Sequence, residues 1–151
     1  MRLMLIGVLL LCASCGEKID PADKANVVSY LEETETDLKQ NFDMAKSMCE
    51  GSLKGGDVSS RIGDMNTTLK SRRESDLFGK LMQSSLPDRF KEKVDQLSML
   101  RSSAGLTWSN IMMARVQNQP DEEARICSSL AKVDSDVRAA MDELRAEIGK
   151  P

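Results

Sequence analysis

The sequence predicts an all-α chain folded as an up-down-up-down four-helix bundle, and three observations predict it. From Asp20 onward Ala, Leu, Lys, Glu, Met, Arg and Asp set the composition, with few aromatic residues and no dense β-branched run. Such side chains lose little rotamer freedom in a helix. Apolar residues recur at intervals of three and four, the helical period, rather than two. Turn-forming clusters then cut the chain into four segments near thirty residues each. Short turns make neighbouring helices antiparallel, which gives a bundle about 40 Å long at 1.5 Å per residue. The alternative is a helical hairpin with a broken second arm that buries its stripe against a partner.

The first helix is expected from about Ala22 to Glu50, carrying Val27, Leu31, Thr34, Leu38, Phe42, Ala45 and Met48, with Pro21 near its start and Gly51 after its end. "EGSLKGGD" is the clearest punctuation in the chain, and Asp57 can cap the second helix. That helix carries Val58, Ile62, Met65, Leu69, Leu77, Leu81 and Met82, but "KSRRESD" interrupts its stripe, so a kink is expected near Arg72. Ser85 and Asp88 around Pro87 read as a capping box with proline in the first turn. The third helix carries Phe90, Val94, Leu97, Leu100, Ala104, Trp108, Ile111 and Met112. "QNQPDEE" marks the last turn, where three acids suit a helix N-terminus. The fourth helix is the most regular: Ile126, Leu130, Val133, Val137, Ala140, Leu144 and Ile148.

The first fourteen residues differ from the rest. Arg2 is followed by the apolar run Leu3 to Leu11, and the small residues Ala13 and Ser14 precede Cys15. This is the charged, apolar, small-residue order of a secretory signal. The run covers only about half of a ~30 Å hydrocarbon core, too little for a transmembrane helix. Ala13-Ser14-Cys15-Gly16 resembles the lipobox of bacterial lipoproteins, although Cys12 stands where that family usually has Leu. The resemblance covers the signal region alone. It implies cleavage before Cys15, attachment of diacylglycerol to its thiol, and a tether of residues 15–21 ahead of a helical domain over 22–150. Gly16, where Asp would favour retention at the inner membrane, implies the periplasmic face of the outer membrane. A plain secretory signal, with Cys12 and Cys15 incidental, is the alternative.

Charge and composition exclude several functions. Of 21 basic side chains Arg2 falls in the signal, which leaves 20 against 24 acidic ones. A net charge of about −4 is no footprint for nucleic acid. Histidine is absent, so Ser-His-Asp and Cys-His catalysis and the commonest zinc ligand are excluded. No Gly-rich phosphate loop or cluster of metal ligands is present, so neither an enzyme, a metal nor a cofactor is expected.

Cys49 and Cys127 remain after lipidation, an even pair in an oxidising compartment, and are expected to form a disulfide. Ten methionines, with Met44 and Met48 on one helix face and Met112 beside Met113, read as core filler ahead of a copper site. Lys70, Arg72 and Arg73 form the densest basic cluster. Folding the first two helices about Lys54 sets Arg73 opposite Glu35, with Glu32, Glu33 and Asp37 close by, so charge pairing is expected there. Trp108, the only tryptophan, lies on the third apolar stripe. Leu77, Phe78, Leu81 and Met82 are four large apolar residues within six and cannot all face one core. Phe78 and Met82, rimmed by Arg73, Lys80 and Gln83, are therefore the expected partner-binding spot. The function expected is a non-enzymatic, membrane-tethered helical module that binds another envelope protein. Its layout is similar to that of pilotins and of small surface exclusion lipoproteins, at the level of architecture only. The alternative is a lipoprotein that binds a small ligand or metal between its helices, favoured by a poorly filled core around Gly105, Thr107 and Trp108, or near Met44 and Met48.

Overall fold

A computed structural model describes residues 19–53 and 55–149. Among them the chain is an all-α four-helix bundle whose second helix is broken in two. α1 spans Pro21–Cys49, α2 Gly55–Ser75, α3 Leu77–Gln83, α4 Asp88–Val116 and α5 Pro120–Ile148.

Local chemistry sets most of these ends. The Asp20 side chain accepts the Ala22 amide at 2.7 Å, and Pro21 opens α1 where no intrahelical donor is needed. Gly51 ends it at φ +67°, so the Gly51 amide reaches the Met48 carbonyl and the Ser52 amide reaches that of Ser47. This Schellman pairing recurs after α4. There Asn118 takes the left-handed conformation at φ +55°, and the Asn118 and Gln119 amides bond the carbonyls of Arg115 and Ala114.

Two expected ends differ. Asp57 lies within the first turn of α2 instead of capping it. The capping box before α4 does not form. Pro87 precedes the helix without a side-chain cap, and the Ser85 hydroxyl donates to Asp23 at 2.8 Å. The second helix also breaks later than expected. It continues through Arg72 to Ser75 and stops at Asp76, which adopts φ +43° and turns its carboxylate onto the Gly79 amide. A Cβ on Gly79 would lie 2.5 Å from that carboxylate, so any larger residue here would push the cap aside.

α1, α4 and α5, each 29 residues long, pack mutually and supply most of the core. Residue numbers advance together along α1 and α4, from Asp23 beside Ser85, through Asp37 beside Arg101, to the Met48 carbonyl beside Arg115. Against α1 they run in reverse along α5, where Cys127 meets Cys49 and Arg138 and Arg145 meet Glu35. The core has two halves. In one, Tyr30, Leu38, Phe90, Leu97, Met141 and Leu144 are closed over by Leu81 of α3. In the other, Met44, Met48, Ile111 and Ile126 are covered by half-buried Val58, Ile62 and Met65 of α2. No described side chain of α2 is fully buried.

Candidate functional site

Cys15 and the rest of the signal and most of the tether lie outside the described residues. Cys49 and Cys127 sit at bonding distance, 2.01 Å between sulfurs and 5.8 Å between Cα atoms, tying the end of α1 to the start of α5. No described helix is long and apolar enough to cross a membrane.

The α3 spot is partly covered by the core. Leu81 is fully buried, while Leu77, Phe78 and Met82 are half-buried and pack on the core. The Phe78 ring lies 6.4 Å from that of Tyr30. Arg73, Lys80 and Gln83 are exposed around them. The expected pairing of Arg73 with Glu35 is replaced. Glu35 accepts from Arg138 at 2.9 Å and lies 3.5 Å from Arg145, both on α5. Glu33 takes the Ser75 hydroxyl, and Asp37 is held by Arg101 of α4. Folding α1 on the second helix alone leaves out α4 and α5, whose arginines also reach these acids.

Among the described residues the large apolar side chains that are exposed are instead Met99, Leu106, Met113 and Val116 of α4, at 61, 58, 52 and 77 % exposure, with Val28 of α1 at 43 %. Met99, Leu106 and Met113 are spaced by sevens, so they share one face of the helix. Ser102 and Ser109 fall between them, and no charged residue interrupts this line from Met99 to Val116. In the sequence the core stripe of this helix masks the second one. The spacing of seven was the available signal.

Between α1, α2 and α4 lies a cleft of about 390 Å³ lined by Asn41, Ile62, Met65, Gly105, Leu106 and Trp108, among others. It falls at the place marked by Gly105 and Trp108. Two polar atoms of its lining residues, Asn41 Oδ1 and Trp108 Nε1, are closed off from solvent with no hydrogen-bond partner. Asn41 uses its other polar atom, donating from Nδ2 to the Asp37 carbonyl at 2.9 Å. Arg101 and Asp37 also line the cleft and hold each other at 2.5 Å. A more open cleft of about 480 Å³ between α1 and α2 is lined mainly by charged side chains of both signs, Asp43, Lys46, Arg61 and Asp64 among them.

Among the described residues no three His, Cys, Asp or Glu side chains are grouped to hold a metal. Met44 and Met48 are buried core residues, whereas Met113 is exposed. The shifted titrations arise from ion pairs along the helices: a hydrogen bond from Arg125 holds Glu122 below the usual carboxylate range, and one to Glu143 raises Lys93. No family model, curated protein or solved structure matches the chain.

Proposed function

We propose that the chain is a lipoprotein cut and lipidated at Cys15, held on the periplasmic face of the outer membrane, whose bundle binds another envelope protein without catalysing a reaction. The tether of residues 15–21 reaches at most about 20 Å. It keeps the bundle close to the membrane and suits a local partner. The observation that carries the partner reading is the uncharged stripe of Met99, Leu106, Met113 and Val116 on α4, unoccupied by the chain's own core. Large and small side chains at heptad spacing over about 26 Å suit an amphipathic helix laid along α4. This stripe fits a partner better than Phe78 and Met82, whose surfaces are partly taken by the core.

Two measurements test the two parts of the reading. A fatty-acid analogue should label the wild type and leave Cys15→Ser unlabelled; equal labelling would remove the anchor assignment. A photoreactive residue at position 106 should capture one envelope protein of defined mass, whereas the same group at the exposed Lys132 of α5 should not. Met99→Lys with Met113→Lys should abolish that capture and leave helicity intact. Equal capture from both positions would overturn the α4 surface. An adduct of twice the chain's mass would replace the envelope partner by a second copy.

A further inference from the structure

The cleft between α1, α2 and α4 has chemistry that partner binding on the outer face of α4 does not use. We propose that it binds a neutral small molecule carrying a hydrogen-bond donor and acceptor on one head, as a carboxamide does, with a short apolar body. The head follows from the two orphaned atoms. Asn41 Oδ1 can only accept and Trp108 Nε1 can only donate, so together they call for one donor and one acceptor. Buried polar groups are nearly always satisfied, and each unsatisfied one carries a desolvation cost that a bound group relieves. The body follows from Ile62, Met65 and Leu106, which supply the apolar wall.

Neutrality follows from the charges. Among the described residues the charged lining side chains are Asp37 and Arg101, and Arg101 is committed to Asp37 at 2.5 Å with Glu33 at 4.0 Å. A charged ligand would have to displace one of these partners. Size leaves room for a ligand of several heavy atoms. A cleft of about 390 Å³ exceeds by more than tenfold the ~30 Å³ share of one water, and falls in the range of small-molecule sites. Access requires one wall to shift, because neither orphaned atom meets solvent. α2 is the wall able to do so, since it contributes Ile62 and Met65 and has no fully buried described side chain. The site shares Leu106 with the stripe on α4 and is otherwise independent of the partner reading.

Trp108 is the only tryptophan, so a ¹⁵N-labelled full chain gives one indole N–H cross-peak that reports on this site. Titration with pentanamide should move that peak downfield and saturate, with a dissociation constant of millimolar order for so small a probe. Pentanoate and pentylamine should leave it in place. Gly105→Leu plugs the cleft at a position where an added Cβ meets only Asn41 Nδ2, at 3.9 Å, and should abolish the shift. Asn41→Leu removes the acceptor and should weaken binding about tenfold. No saturable shift with pentanamide, an equal shift with pentanoate, or a shift that survives Gly105→Leu would each overturn the proposal and leave solvent as the occupant.

Discussion

The guanidinium of Arg101 joins α4 to α1 by several contacts at once. Its Nε and Nη2 reach Asp37 Oδ2 at 2.7 and 2.5 Å, Nη1 lies 3.4 Å from the Thr34 hydroxyl, and the group stacks 5.3 Å from the centre of the Tyr30 ring. The Asp37 side chain is only 6 % exposed, so its charge depends on close partners, Arg101 among them. Arg101→Met should therefore cost about 3 kcal/mol in urea denaturation, because it takes the Nε and Nη2 donors away from a buried carboxylate. The double variant Arg101→Met with Asp37→Leu should recover most of that loss. Failure to recover would show that the stacking on Tyr30, rather than the ion pair, carries the effect. The surface pairs behave differently. Glu122 is held below its ordinary pKa of 4.5 by Arg125, so its contribution is present above that value and is lost as pH falls through the lowered one. Lys93 is raised above 10.5 by Glu143, so its contribution is present below 10.5 and is lost at still higher pH. Stability should consequently be flat in these two groups between about pH 6 and 9, and added salt should erase what they give at the extremes.

At the scale of the helices, α2 is the weak member. Gly63, Asn66, Thr67 and Thr68 occupy its middle, none is buried, and its apolar residues Val58, Ile62 and Met65 are only half-covered. Its amides should lose hydrogen-exchange protection before those of α1, α4 and α5. Gly63→Ala should slow that exchange, since a Cβ there meets nothing within 4 Å and alanine gains about 1 kcal/mol in a helix interior. Exchange that is unchanged by the substitution would mean that α2 opens only when the whole bundle does. The long helices were legible because one side of each is a sustained apolar stripe: Val27, Leu31 and Leu38 on α1, Phe90, Val94 and Leu97 on α4, Val137 and Leu144 on α5, all of them buried. A break in the second helix was legible from "KSRRESD", but its place at Asp76 was not, since no glycine or proline stands there; an aspartate took the left-handed conformation and capped onto Gly79. Nor was the cleft fully legible. Gly105 and Trp108 pointed to it, but Asn41 comes from another helix, and only the packing of α1 on α4 brings Asn41 and Trp108 into the lining of one cleft.

Across the whole molecule the two halves of the core are closed by different means. One half is sealed by α3, whose Leu81 is fully buried among the side chains of α1, α4 and α5. The other has only the half-buried side chains of α2 for a fourth wall, and it is there that Cys49 meets Cys127. A link between residues 78 apart removes much of the unfolded chain's freedom, a contribution of about 3–5 kcal/mol in the chain-entropy account. At the same end the ion pair of Arg115 with Glu123, at 2.6 Å, and the bond from Arg115 to the Met48 carbonyl join α4 to both neighbours. Exposed contacts of this kind give less than the covalent link. Cys49→Ser with Cys127→Ser should therefore lower the denaturation midpoint sharply while leaving helicity in buffer nearly unchanged. Dithiothreitol should lower the wild-type midpoint to the same value and leave the variant where it is. Exchange should rise first at Met44, Met48 and Ile126, whereas Leu97, Met141 and Leu144 keep their protection until global unfolding. A midpoint equal to that of the oxidised wild type would mean that packing and the Arg115 contacts alone hold this end of the bundle.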